Sequence, residues 1–140
     1  MGTDIRAEIT RKSPYWIPKH RYYELKHFCL QYQDWRHELS LIDGYYAVSA
    51  GVNEYVDSGS TCRPTEYYAE ARMFYERRIE MVNLAAQKAT DDIFGEVLVD
   101  AVTNGLSYEK LMARGDVNCG KEAWYAAYRR FFWILDKLRK

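Results

Sequence analysis

The segment from Gly115 to Lys121 carries the most specific chemical spacing in the chain. Its residues Gly-Asp-Val-Asn-Cys-Gly-Lys fit the G-x-x-x-x-G-K core of a phosphate-binding loop. In nucleotide-binding proteins this loop follows a β-strand, and a Ser or Thr after the lysine binds magnesium. Here a helical pattern precedes the loop, and Glu122 follows the lysine with a charge that would repel phosphate. The sequence therefore predicts a turn between two helices and no nucleotide site.

A second spacing, from Glu24 to His27, is the Glu-x-x-His pattern of di-iron helical bundles. Such a site needs a second copy of the pattern on another helix, together with two further carboxylates. The most similar spacing, Asp-x-x-His from Asp34 to His37, lies on the same predicted helix. The cysteines are odd in number and widely spaced, at Cys29, Cys62 and Cys119. We therefore expect no metal site, no disulfide framework and no cofactor.

The sequence also gives little indication of a set of catalytic residues. The three histidines lie between residues 20 and 37, so they form no convincing Ser/His/Asp or Cys/His set. Carboxylates spaced by four residues, such as Glu66 and Glu70, alternate with arginines and are typical of solvated helix faces with local ion pairs. We expect that the protein is not an enzyme.

The charge balance indicates an uneven molecule. The chain has 140 residues, 48% of them hydrophobic, with 20 Lys/Arg and 20 Asp/Glu. The net charge is +3 over residues 1–27, −7 over residues 28–104 and +4 over residues 105–140. The overall neutral chain thus combines a basic start, an acidic middle and a basic end. This uneven distribution of charge favours a charged partner.

The N-terminus and the hydropathy pattern exclude two further classes. Charged residues occupy the start of the chain, where a signal peptide needs its apolar stretch. No apolar run approaches the roughly 18 residues of a membrane span. We expect a cytoplasmic protein with no membrane partner.

Hydrophobic periodicity predicts an all-α fold. Residues 1–20 read as an N-terminal arm. Large apolar residues then recur in steps of three and four from Leu25 to Ile42, and again from Tyr68 to Ala89. These two seams predict an antiparallel helical hairpin over residues 21–90, with a long connecting loop at 43–63.

Residues 91–140 predict three shorter helices. The first runs from Ile93 and closes at Gly105, Ser107 caps the second, and the third begins near Lys121 after a glycine-bearing turn. This order matches a helix-turn-helix unit, whose last helix enters the DNA major groove. The alternative is a three-helix cap on the hairpin, whose basic residues complement a helix C-terminus.

The helix-turn-helix interpretation assigns a DNA-binding face. On the third helix, Trp124, Ala127, Phe131, Ile134, Leu135 and Leu138 are expected to face inward. Ser107 and Tyr108 are expected near a phosphate, at the start of the preceding helix. The candidate DNA-binding residues are Ser107, Tyr108, Lys121, Glu122, Tyr125, Tyr128 and Arg129.

Two stretches carry a family resemblance. Residues 23–35, Tyr-Glu-Leu-Lys-His-Phe-Cys-Leu-Gln-Tyr-Gln-Asp-Trp, and the tail from Gly105 resemble phage-encoded transcriptional regulators of the RinA/ArpU type. The tail, including Gly120-Lys-Glu-Ala-Trp-Tyr-Ala-Ala-Tyr-Arg-Arg, is similar to the DNA-binding end of sigma factors. The resemblance spans roughly residues 20–140. It implies a sequence-specific regulator that acts near a promoter, with double-stranded DNA and RNA polymerase as partners.

Two functional hypotheses remain open at this point. The first is a phage or prophage DNA-binding regulator, acting as a homodimer because a neutral monomer with one helix-turn-helix offers few phosphate contacts. The second is a small phage protein that binds and inhibits a host or defence protein, as anti-CRISPR proteins do. The surplus of aromatic residues and the acidic middle of the chain favour the second hypothesis.

Overall fold

The regular structure of the chain is helical. A computed structural model describes residues 13–51, 64–117 and 119–140, and every regular element in these ranges is an α-helix. The helices are α1 (Lys19–Leu30), α2 (Tyr32–Gly51), α3 (Pro64–Ala89), α4 (Asp92–Asn104), α5 (Tyr108–Arg114) and α6 (Lys121–Leu138). The predicted all-α class is confirmed for the described ranges.

These helices belong to two compact units. The first combines the described chain before Tyr32 with Met81–Lys140, and the second is Tyr32–Glu80. The unit boundaries differ from the predicted division into 1–20, 21–90 and 91–140. The C-terminal helices α4, α5 and α6 share their unit with α1 and with the last turns of α3, instead of forming a unit of their own.

The core of the first unit is rich in aromatic side chains. Helix α1 packs against α4 and α6. The Tyr22 ring on α1 meets Phe132 on α6 edge-on, with 5.2 Å between the ring centres. The Trp124 ring on α6 lies 5.5 Å from that of Phe94 on α4. Because large aromatic side chains bury the most apolar surface, these contacts dominate the energetics that hold α6 in place.

Local capping explains the boundaries of α4 and α5. The Asp91 carboxylate accepts a hydrogen bond from the Phe94 amide at 2.8 Å, and the Ser107 hydroxyl accepts one from the Lys110 amide at 3.2 Å. Gly105 ends α4 in the left-handed region with φ of 67°. A residue with a Cβ is strained in that conformation, so glycine suits this position. The predicted Ser107 cap is confirmed.

The expected loop at 43–63 begins too early. Helix α2 continues through Asp43 and Gly44 to Gly51, so the Asp-Gly pair does not end it. One glycine inside a helix costs only about 1 kcal/mol relative to alanine, and tertiary contacts offset this. Within the second unit, Asp43 pairs with Arg72, and the Tyr45 ring lies 4.2 Å from that of Tyr68. Residues 52–63 lie outside the described ranges.

The first predicted seam is interrupted. Helix α1 ends at Leu30, and the Gln31 amide closes a tight turn on the Phe28 carbonyl at 3.2 Å before α2 begins. Residues of the seam on both sides of this turn, such as Leu25 and Trp35, are nevertheless buried. The apolar spacing therefore identified most of the buried residues, although Leu39 is only half-buried, and it missed the break in the helix.

The end of the predicted N-terminal arm is part of the first unit. Ile17 is buried, and Tyr15 packs edge-on against Trp133 of α6 with 5.5 Å between ring centres. Helix α1 begins at Lys19, within the predicted arm. Residues 1–12 lie outside the described ranges.

We expect Cys29 to be chemically inert in the folded protein. Its side chain is fully buried, and burial raises the pKa of the thiol well above its ordinary value, an effect that Arg139 only partly offsets. Since the thiolate is the reactive form, an alkylating reagent should not label Cys29 without denaturant, whereas the partly exposed Cys119 should react. Peptide mass mapping after timed labelling measures both. Equal labelling of the two thiols under native conditions would contradict the packing of α1.

Candidate nucleic-acid interface

The buried side of α6 differs from the predicted one. Trp124, Phe131 and Leu135 are buried as expected, but Ala127, Ile134 and Leu138 are only half-buried. Phe132 and Asp136 are buried instead, so the buried side of α6 is rotated toward these two residues relative to the predicted side. The candidate residues Tyr125 and Tyr128 consequently lie at the edge of the core, and both are half-buried.

Four of the candidate residues meet around one cleft. Ser107, Tyr108, Tyr125 and Tyr128 line a cleft of about 80 Å³ together with residues of α1 and α4. The Tyr128 and Tyr22 hydroxyl oxygens are 3.3 Å apart, within hydrogen-bonding distance. Burial, and to a smaller extent the Glu109 charge, raise the pKa of Tyr125. Tyr22 and Tyr128 therefore pack the junction of α1 with α6, and Tyr125 packs against Tyr108 of α5 with 6.2 Å between ring centres.

Tyr108 and Ser107 hold the turn that precedes α6. The Tyr108 hydroxyl donates a hydrogen bond to the Cys119 carbonyl at 2.9 Å. The Ser107 hydroxyl is occupied by the cap of its own helix, on the Lys110 amide. The connection between α5 and α6 covers residues 115–120, longer than the three to four residues of a typical helix-turn-helix turn. Tyr108 thus helps to position α6 from within the protein, whereas Ser107 fixes the start of α5.

Nearby carboxylates offset the positive charge of Lys121 at the N-terminal end of α6. The Lys121 ammonium nitrogen lies 3.1 Å from a Glu109 carboxylate oxygen, and both side chains are exposed. A hydrogen bond to Glu109 raises the pKa of Lys121. The pKa of Glu109 is lowered, first by a hydrogen bond from its own backbone amide and then by Lys121. The exposed Glu122 adds a further negative charge here.

A different side of α6 faces outward. Ala123, Ala126, Arg130 and Lys137 are exposed, and Trp133 between them is half-buried. We name these five residues the outer row. They follow steps of three and four, so they share one side of the helix. Lys121 precedes Arg130 by nine residues, which at 3.6 residues per turn places it on about the opposite side.

Cations and aromatic rings alternate along the outer row. The Arg130 guanidinium lies 5.9 Å from the centre of the Tyr15 ring, which itself contacts Trp133. The Lys137 ammonium lies 5.0 Å from the centre of the Trp133 ring. These distances are within the range of cation–π attraction. Sequence spacing alone could have identified Arg130, Trp133 and Lys137, but Tyr15 comes from a distant part of the chain.

One of the two acidic residues of α6 is withdrawn from its surface. Asp136 is buried, and its carboxylate accepts a hydrogen bond from the Arg21 guanidinium of α1 at 2.6 Å. This bond, followed by one to Glu24, raises the pKa of Arg21. Helix α6 contains Lys121, Glu122, Arg129, Arg130, Asp136 and Lys137, and the chain ends in Arg139 and Lys140. Because Asp136 is used internally, the outer row carries the positive charges of Arg130 and Lys137 with no acidic side chain between them.

Two kinds of site receive no support from the described residues. No three His, Cys, Asp or Glu side chains in these ranges lie close enough to hold a metal ion. No helix in the same ranges combines the length and the apolar character needed to cross a bilayer.

Comparison with known proteins adds no assignment. No family model, curated protein or solved structure matches the chain. The chemistry of the outer row and of the surrounding surface must therefore carry the functional argument.

Proposed function

We propose that the protein is a DNA-binding transcription regulator of the phage type, in which α4, α5 and α6 act as the helix-turn-helix unit. The outer row of α6 is the proposed contact surface for double-stranded DNA. The observation that carries the proposal is the positive charge of this surface, where Arg130 and Lys137 are exposed while Asp136 is buried. Lysine and arginine contacts to phosphate supply most of the sequence-independent affinity for DNA.

The first half of the outer row suits close contact with base edges. Ala123 and Ala126 are exposed and small, so the helix backbone can approach a groove closely at these positions. Alanine methyl groups also contact the thymine methyl group in the major groove. Arg130 and Lys137 then follow on the same side, where they can reach phosphates or guanine.

The proposed regulator acts as a homodimer near a promoter, with RNA polymerase as a further partner. Two copies double the number of phosphate contacts and read two half-sites. The resemblance to RinA/ArpU regulators supports the promoter-proximal role. Lys121, by contrast, pairs with Glu109 of α5, Tyr125 lines the cleft and Arg129 is half-buried, so we assign this face a secondary part in DNA contact.

Removing the outer-row cations should weaken DNA binding and its dependence on salt. For the R130A/K137A variant we expect the slope of log affinity against log salt concentration to fall by about 2, one unit for each lost phosphate contact. If either residue reads a base, affinity for the preferred sequence should fall by a further ~1–3 kcal/mol. Fluorescence anisotropy with labelled duplexes at several salt concentrations measures both effects.

The matched control is K121A/R129A, which removes the same charge from the other side of α6. A larger loss in this variant than in R130A/K137A would move the contact surface to the face predicted from sequence. If the parent protein binds no duplex DNA at physiological salt, the regulator proposal is wrong.

A second candidate function is supported by an apolar groove in the first unit. Ile93 is 83% exposed, and it lines a groove of about 330 Å³ with Phe94, Val97 and Val117. Asp91 and Asp116 also line this groove, so its edge is acidic. Exposed apolar surface of this kind marks protein interfaces. We propose, as the alternative, that the groove binds a basic and apolar segment of a host or defence protein and inhibits it. Absence of DNA binding in the titration above would favour this candidate.

A further inference from the structure

Helix α3 exposes a row of apolar surface in the second unit. Tyr67 is 67% exposed and Phe74 is 46% exposed. Tyr67 and Phe74 are seven residues apart, so they lie on the same side of the helix. Ala71 lies between them on that side, and Arg78 follows Phe74. We name these four residues the α3 stripe. The Arg78 guanidinium lies 3.4 Å from the centre of the Phe74 ring and therefore belongs to the same surface.

Apolar residues exposed in a row need a physical explanation. Single exposed apolar side chains are common in soluble proteins, whereas contiguous ones mark contact surfaces. Tyr67, Ala71 and Phe74 also line one shallow depression on this side of α3, together with Glu70 and Tyr75. The α3 stripe thus has the composition of an interface centre, with two aromatic residues and an arginine.

The charges beside the stripe indicate which surface would cover it. Glu70 and Arg77 are both exposed and lie on the same side of the stripe, seven residues apart. If two copies of α3 pack in antiparallel orientation about a two-fold axis near Phe74, Glu70 of each copy lies opposite the partner's Arg77. The symmetry produces this pairing twice. Parallel packing would instead place the Glu70 and Arg77 flanks of the two copies on opposite edges of the interface, so it would not form these pairs.

We infer that the α3 stripe is the surface through which two copies of this chain associate, antiparallel, with Phe74 against the partner's Phe74. The inference deepens the proposed function, because it names the surface that forms the proposed homodimer. It is tested without DNA, so its failure and the failure of DNA binding are distinguishable. One helix pair buries less surface than a standard interface, so we expect association in the micromolar range.

A charge-swap series tests this surface. The parent chain should shift from 16.6 kDa toward twice that mass as its concentration rises. The E70R and R77E variants each place like charges opposite each other, and we expect association at least tenfold weaker in both. The E70R/R77E double variant restores opposite charges and should recover association to within a few fold of the parent. Sedimentation equilibrium over the micromolar range measures all four proteins.

The control is E80R, which makes the same exchange at an exposed position on the other side of α3. We expect it to associate as the parent does, and circular dichroism should show unchanged helix content in every variant. A parent that remains monomeric at all concentrations would overturn the inference. So would single variants that still associate, or a double variant that stays as weak as the single ones.

Discussion

Replacing Trp124 with alanine should lower the free energy of unfolding by about 3–5 kcal/mol, as expected for removing a fully buried indole. Trp124 is only 1% exposed and contacts the Phe94 ring at 5.5 Å and the Tyr128 ring at 6.4 Å. Its removal leaves a cavity between α4 and α6, which neighbouring rings cannot fill without leaving their favoured rotamers. Because small domains have total stabilities of roughly 5–15 kcal/mol, the variant should be close to unfolding at room temperature.

Urea denaturation followed by circular dichroism measures this loss. Trp133 is the matched control, because it is the same residue type on the outer row and only half-buried. We expect Trp133→Ala to lose less than half as much stability as Trp124→Ala. Similar losses in the two variants would show that the indole contribution does not depend on its position between α4 and α6.

The ends of α4 and α5 could be predicted from the sequence because they depend on local contacts. Asp91 and Ser107 each cap a helix within three residues of themselves, and Gly105 needs no distant residue to adopt its left-handed conformation. The extent of α2 could not be predicted in this way. The Asp-Gly pair at its centre is a local stop signal, and contacts with residues of α3 that lie more than 20 positions away override it.

In the candidate interface, too, local spacing predicts some features, whereas others depend on residues far away in the sequence. Periodicity identified α6 and part of its buried side, but it gave no indication that Asp136 is buried. The partner of that carboxylate is Arg21, which lies 115 residues earlier in the chain. Tyr15 likewise reaches the outer row only through the packing of the first unit. Neither contact leaves a signal in local spacing.

The Arg21–Asp136 pair should show strong energetic coupling. Asp136 retains only 8% of its side-chain exposure and Arg21 only 25%, and their hydrogen bond measures 2.6 Å. Replacing Arg21 alone leaves a buried carboxylate with only Lys140, 3.7 Å away, as a cation. We therefore expect R21A to lower the free energy of unfolding by about 3 kcal/mol or more. The D136A and R21A/D136A variants complete a double-mutant cycle, for which we expect a coupling energy of about 1.5–3 kcal/mol.

A second ion pair, which is more exposed to solvent, serves as the comparison for this coupling energy. Arg72 and Asp43 also join two helices, but their side chains are 39% and 57% exposed. Water screens exposed charges, so the same cycle on this pair should give a much smaller coupling energy, and added salt should reduce it further. The coupling of Arg21 with Asp136 should change little with salt, because the carboxylate is shielded from solvent. Equal coupling energies for the two pairs would mean that Asp136 is hydrated in solution. The negative charge would then return to the surface of α6, and the main support for DNA contact at the outer row would be lost.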